Sequence, residues 1–157
     1  MKIYRIAIIG DQELPSELEE IRAIQEKFKK IWKVLRERKE FIEVYIGREG
    51  DFDLIMAATV GDLQVRYGRQ NNRLSLVLPC PIEDFSHVRI HYDETIISYD
   101  EKTPLEDAIE RQNRRMVDMA DLLVSYVLQE SGTAYESMKY AQSKGMKIVN
   151  LSDKWVE

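Results

Sequence analysis

Short apolar runs alternate with longer segments of helical periodicity along this chain, and that alternation limits its fold more than any other feature. Residues 3–9 form an apolar run that stops at Gly10, a residue type that tolerates unusual backbone angles. Beyond Ser16, apolar residues recur every three or four positions from Leu18 to Leu35 among many charged ones. The run predicts a buried strand, and the recurrence predicts a long amphipathic helix.

The alternation continues toward the C-terminus. Further strands are predicted at residues 41–46, 74–78, 122–127 and 147–151, with one short strand at 95–99. Helices are predicted after the turn at Gly47, from about Pro104 to Met119, and at 134–143. The first of these rests on Leu54, Ile55, Ala58, Leu63 and Val65. Thr103 is predicted to cap the helix that runs to Met119, with Pro104 at its first position. Gly145 is predicted to end the helix at 134–143.

Strands that alternate with helices form a parallel sheet covered on both faces. We therefore predict one domain over residues 1–157 with an α/β fold, specifically a Rossmann-like three-layer α/β/α arrangement with a mainly parallel sheet.

Composition and charge exclude several classes of protein. The chain has 28 acidic and 23 basic side chains and a formal net charge of -5, so it lacks the cationic excess typical of nucleic-acid binding. Its apolar runs are far shorter than the ~20 residues that cross a bilayer. A single cysteine, Cys80, forms no internal disulfide, which fits a reducing compartment. We predict a cytoplasmic protein without a nucleic-acid or membrane partner.

The two histidines do not predict a metal site. His87 and His91 are four residues apart, but the segment between them lacks the glutamate of H-E-x-x-H and has no helical pattern. We predict no metal and no cofactor.

The turn after the strand at 122–127 is the first candidate site. Ligands of open parallel sheets bind at the carboxyl ends of the strands. Here Ser131, Gly132 and Thr133 combine two hydroxyls with a glycine at the start of a helix, where free N–H groups and the helix dipole favour a phosphate. Glu136, one turn further on, is a candidate catalytic acid or nucleophile. In the alternative interpretation, Ser131 or Thr133 only caps the helix and Glu136 only complements its dipole.

Two other segments supply candidate ligand-binding residues. The cluster of Arg111, Asn113, Arg114 and Arg115 fits phosphate geometry, although helix arginines more often pair with nearby acids. Gly47, Gly50, Phe52 and Asp53 form a looser set after the second strand, and Gly10 after the first strand is a further ligand-binding candidate. Their spacing does not match the dinucleotide motif G-x-G-x-x-G, so it does not indicate a nicotinamide dehydrogenase.

The sequence from Arg111 to Asp121, the segment 131–137 and the segment 140–150 together resemble the SLOG superfamily, particularly its small bacterial members. The glycine turn at 45–53 is similar to that group as well. The resemblance implies a Rossmann-like fold and a nucleotide- or nucleoside-type ligand.

Two kinds of relative extend this resemblance. Lonely-guy-type phosphoribohydrolases have a P-G-G-x-G-T-x-x-E motif whose second half is similar to residues 132–136, which implies phosphate binding at Gly132 and Thr133 and catalysis at Glu136. Leu128, Gln129 and Glu130 stand where those enzymes have Pro-Gly-Gly. Nucleoside deoxyribosyltransferases have a similar D-S-G-T-x-x-E arrangement, with Glu136 at the position of the nucleophile.

These observations favour a domain that binds a nucleotide- or nucleoside-derived small molecule. The alternative is an enzyme that cleaves or transfers an N-glycosidic bond through Glu136. A third hypothesis, an assembly module, predicts an apolar oligomer surface, and a homo-oligomer is compatible with all three.

Overall fold

The computed structural model describes residues 1–79, 90–97 and 102–152. Its elements, in chain order, are β1 (Ile3–Gly10), α1 (Leu18–Arg38), β2 (Phe41–Ile46), α2 (Asp51–Tyr67), β3 (Asn72–Leu78), β4 (Glu94–Ile97), α3 (Leu105–Met119), β5 (Leu122–Tyr126), α4 (Thr133–Ser143) and β6 (Lys147–Asn150). The six strands form one sheet in the order β4-β3-β2-β1-β5-β6. Every described pairing is parallel, which confirms the predicted Rossmann-like α/β fold.

The helices cover the two faces of the sheet in pairs. On one face, Phe28 of α1 and Met56 of α2 pack on strand residues such as Val44. On the other face, Met116 of α3 and Met138 of α4 pack on strand residues such as Ala7 and Leu123. The chain therefore builds outward from β1 to β4 and then returns to place β5 on the other side of β1. This reversal is the topological switch point at which open sheets bind ligands.

The two helices of the first face differ in their patterning. The buried residues of α1, Ile24, Phe28 and Trp32, lie at intervals of four, as the periodicity predicts. In α2 the buried side includes Phe52, Met56, Ala57, Val60 and Leu63. Of the residues that indicated this helix, Leu54, Ala58 and Val65 are exposed. The helix was predicted correctly, but it is apolar on more than its buried side.

A few boundaries differ from the predictions. The cap residue of α3 is Pro104, whose extended ψ of 150° precedes the helix, and no side-chain hydrogen bond caps it. Thr103 is therefore not the cap. β4 ends at Ile97, and residues 98 and 99 of the predicted strand lie outside the described residues, as do Cys80 and His87. Across the described ranges, every helix is too short or too polar to span a bilayer.

Candidate functional site

The candidate site lies at the carboxyl ends of β1, β2 and β5. Two side chains hold the start of the β5–α4 turn against its neighbours. The carboxylate of Asp11 accepts a hydrogen bond from the Leu128 N–H at 3.0 Å, and the Asp11 N–H donates to the Tyr126 carbonyl at 2.9 Å. The Asn150 amide bonds both the N–H and the carbonyl of Val127, at 3.1 and 3.2 Å. Burial of Asp11 raises the pKa of its carboxyl group, and the Leu128 N–H partly opposes that rise.

A cavity of about 380 Å³ opens between α3 and α4 beside this turn. We call it the α3–α4 pocket. Its volume falls within the range of about 300–1,000 Å³ typical of small-molecule sites. Five of the predicted residues line it together, namely Asn113, Arg114, Gly132, Thr133 and Glu136. Two further lining residues, Glu110 and Ser137, were not predicted.

Gly132 gives this pocket an open backbone wall. Its φ of 97° and ψ of 172° lie in a region that is essentially restricted to glycine. No atom lies within 4 Å of the place where a Cβ would stand. Gly132 is also the cap residue of α4, and no side-chain hydrogen bond caps the helix. Side-chain capping of α4 by Ser131 or Thr133 is therefore excluded, and the helix begins at the pocket wall with Gly132 and Thr133.

The three arginines of the cluster differ in the spaces that they line. Arg114 lines the α3–α4 pocket, where its guanidinium lies 3.1 Å from the Glu110 carboxylate and 5.1 Å from the centre of the Tyr140 ring. Arg111 and Arg115 line a second, shallower depression beside the pocket, which shares Glu110 and Arg114 with it. The structure therefore places Asn113 and Arg114 with the glycine turn and places Arg111 apart from it. Ser131 and Glu130 are exposed and do not line the pocket.

A narrow crevice continues from the pocket toward β1 and β2. We call it the inner crevice. Asn113 and Thr133 line both spaces, so the two spaces are adjacent. The free volume of the crevice is only about 10 Å³, enough for about one water molecule. The predicted residues Gly10, Gly47 and Asp53 line it.

The glycines at this end are needed for packing. A Cβ on Gly10 would stand 2.6 Å from Cε2 of the buried Phe52 ring, and one on Gly50 would stand 2.7 Å from the Gln12 carbonyl oxygen. A Cβ on Gly47 would stand 2.7 Å from the amide nitrogen of Gln112. Each contact is closer than real Cβ atoms approach, so these three turns are glycine because neighbouring atoms occupy the side-chain space.

Asp53 places a buried carboxylate in the inner crevice. Its Oδ2 accepts a hydrogen bond from the Glu49 N–H at 2.9 Å, and the residue is only 7% exposed. Burial raises the pKa of Asp53 to about 7; the Glu49 N–H lowers this pKa and the nearby Glu49 carboxylate raises it. Burial also raises the pKa of Glu49. The inner crevice is therefore an acidic, poorly solvated end of the site.

Two further polar atoms belong to this buried neighbourhood. The Gln112 amide donates to the Val77 carbonyl at 3.0 Å, whereas its Oε1 atom is buried without a partner among the described residues. The Tyr92 hydroxyl is likewise buried without a partner there. Burial raises the pKa of this hydroxyl, the nearby Arg48 lowers it, and the Asp53 carboxylate raises it. Unpaired buried polar atoms are costly, and these two lie beside the inner crevice without lining it.

Sequence analysis missed Glu110, Ser137, Glu49 and Gln112. Glu110 could have been found, because it lies three and four residues before Asn113 and Arg114 and therefore on the same helix face. Ser137 lies four residues after Thr133 and donates to the Thr133 carbonyl at 2.9 Å. The roles of Glu49 and Gln112 depend on contacts across the sheet that no local pattern shows.

The described histidine, His91, is exposed and lies 3.5 Å from the Asp93 carboxylate, away from both spaces. Over residues 1–79, 90–97 and 102–152, no three side chains of the usual metal-ligating types are grouped closely enough to hold an ion.

Comparisons with known proteins define the class of fold. No protein-family model and no curated protein matches the sequence. Among solved structures, the chain is similar to a Rossmann-like parallel α/β protein with a TM-score of 0.61 and 14% sequence identity. That protein is DNA processing protein A from Helicobacter pylori, whose structure was described for its mode of single-stranded DNA binding.

The alignment covers 92% of this chain and 63% of that one. At this identity the similarity shows a shared fold. SLOG membership and the absence of a nucleic-acid partner stay predictions.

Proposed function

We propose that this chain is a SLOG-type domain that binds a nucleoside- or nucleotide-derived small molecule in the α3–α4 pocket. The observation that supports it best is the convergence of the uncapped α4 N-terminus at Gly132 and Thr133 with Asn113 and Arg114 of α3 around one cavity of about 380 Å³. Backbone N–H groups and a guanidinium suit a phosphate, and an amide suits the edge of a base.

The charge of the pocket favours a ligand with few phosphates. Among the described residues, Glu110 and Glu136 line it together with a single guanidinium, that of Arg114, which already pairs with Glu110. A second or third phosphate would meet these carboxylates at close range. Ribose hydroxyls, in contrast, are hydrogen-bond donors that a carboxylate accepts. A nucleoside or nucleoside monophosphate therefore fits better than a polyphosphate.

Isothermal titration calorimetry with adenosine, adenosine monophosphate, ADP-ribose and a single-stranded oligodeoxythymidine tests this proposal. We expect at least one of the first three to bind and Arg114→Ala to weaken binding of the monophosphate by roughly ten-fold, the loss of one charge-assisted contact. Arg111→Ala is the matched control, because Arg111 lines the neighbouring depression and not the α3–α4 pocket. Equal effects of the two arginine variants, or binding of the oligonucleotide alone, would contradict the proposal.

A second candidate function is cleavage of an N-glycosidic bond. It is favoured by the two carboxylates, Glu110 on α3 and Glu136 on α4, that line one pocket from different helices. One would stabilise positive charge at the anomeric carbon as the bond to the base breaks, and the other would take a proton from the attacking water and pass it to the departing base, which leaves the free sugar and the neutral base. Chromatography should then detect free base with the wild type and none with Glu136→Gln, and equal release by both proteins would refute this role.

A further inference from the structure

Apolar residues form a narrow stripe on the outward face of α2, beside the exposed Asp51, Asp62 and Arg66. Leu54, Ala58, Gly61 and Val65 follow one another at intervals of four, three and four residues, which places them along one side of the helix. Val65 is 81% exposed and Leu54 is 42% exposed. Ala58 is exposed, and no atom lies within 4 Å of the place where a Gly61 Cβ would stand. We call these four residues the α2 stripe.

The neighbouring helix shows that such a stripe is not a general property of this side of the protein. The exposed face of α1 is dominated by charged side chains, among them Glu19, Arg22, Glu26, Lys30, Lys33 and Glu37. Its single exposed valine, Val34, is 47% exposed and stands among these charges. A helix that is apolar on its solvent side as well as on its core side is expected to be covered by another protein surface.

Charge along α2 is complementary to a second, antiparallel copy of the same helix. Asp51 lies in the first turn and Arg66 in the last turn, and both are exposed. At 100° per residue they fall on the same flank of the α2 stripe. When two copies pack antiparallel about an axis between Ala58 and Gly61, Leu54 meets the partner's Val65. Asp51 then lies beside the partner's Arg66 at each end of the contact.

We propose that two copies of this chain form a twofold dimer through the α2 stripe. The small residues Ala58 and Gly61 at its centre allow the helix axes to approach closely. Asp62 is exposed and borders the stripe. The stripe is about 16 Å long at 1.5 Å per residue, so the contact is short and the dimer is expected to be weak.

Sedimentation velocity of the full chain from about 1 to about 500 µM tests the proposal. We expect a concentration-dependent dimer that Val65→Asp weakens by at least roughly ten-fold, because the substitution buries a charge at the contact. Val34→Asp is the matched control on α1 and should leave association unchanged. A wild type that stays monomeric over the whole range, or a dimer that Val65→Asp leaves intact, would overturn the proposal.

Charge reversal tests the antiparallel geometry without changing the stripe. Asp51→Arg alone and Arg66→Asp alone each place like charges at both ends of the homodimer and should weaken it. An equimolar mixture of the two variants should recover wild-type association, because each end of the mixed dimer then has one cation and one anion. Both variants should keep the wild-type circular dichroism spectrum. If the mixture is as weak as the separate variants, the antiparallel dimer is wrong.

Discussion

The inner crevice and the α3–α4 pocket both depend on glycine, but for opposite reasons. Around the crevice, Gly10, Gly47 and Gly50 are small because the Phe52 ring, the Gln112 amide and the Gln12 backbone occupy the space of a side chain. At the pocket, Gly132 has open space before it, and its backbone angles, with φ at 97°, require glycine. A glycine turn therefore indicates a ligand site only where the space it leaves is empty.

The buried carboxylate of Asp53 in the inner crevice should give the largest measurable effect on stability. With a pKa of about 7, folded Asp53 keeps a proton that the unfolded chain releases near pH 4. Because the folded state binds more protons in this window, the free energy of unfolding falls as the pH rises from about 4 to about 7, by on the order of 4 kcal/mol at most. Below both pKa values the two states bind the proton equally, so the stability is then independent of this group.

Urea unfolding of the wild type and Asp53→Asn between about pH 5 and about pH 8 measures this effect. The stability of the wild type relative to the variant should decrease with pH across this range. Glu136→Gln, at an exposed position in the α3–α4 pocket, is the control. The stability of this variant should change with pH in the same way as that of the wild type. A constant difference between wild type and Asp53→Asn at every pH would show that Asp53 does not titrate in this window.

Gly10→Ala should have the next largest effect. The new methyl group would press on the Phe52 ring, which is itself stacked on Tyr126 at 5.7 Å between ring centres. Overpacking of this kind costs about 1–3 kcal/mol, measured as a lower urea midpoint with an unchanged slope. Gly10→Val should cost more than Gly10→Ala, because the cause is lack of space. Equal losses in the two variants would point to the backbone instead.

Gly132→Ala should cost less, about 1–2 kcal/mol, because only the backbone conformation is strained. Gly132→Ser should cost about the same as Gly132→Ala, since nothing stands within 4 Å to meet a larger side chain. The same unfolding measurement checks both. If the loss grows with side-chain size here as it does at Gly10, the distinction between the two ends of the site is wrong.

Much of the fold followed from the sequence because buried parallel strands are continuous apolar runs. β2 was predicted at its observed bounds, and the strand runs near β1 and β5 differ from the structure by one residue at an end. α2 shows where this reasoning weakens: its periodicity indicated a helix, but Leu54 and Val65 were not distinguished from the buried Met56 and Val60. When hydrophobic residues lie on both sides of a helix, the sequence pattern alone does not show which side faces the core.

The site was predicted in part. The α4 turn and α3 meet because both lie on the same face near the carboxyl end of the sheet, and this brought Asn113, Arg114 and Thr133 together. The separation of Arg111 depends on the rotation of α3, and the meaning of Gly10 and Gly47 depends on which atoms face them from other elements. Neither property is encoded locally.

The anchoring of the β5–α4 turn has a consequence for protein engineering. Asp11 and Asn150 hold Val127 and Leu128, and α4 begins at Thr133, so the chain is fixed on both sides of the exposed residues 129–131. Those three positions lie beside the α3–α4 pocket, and substitutions there leave the buried core unchanged. Libraries restricted to residues 129–131 would therefore explore new ligand specificities at little cost in stability.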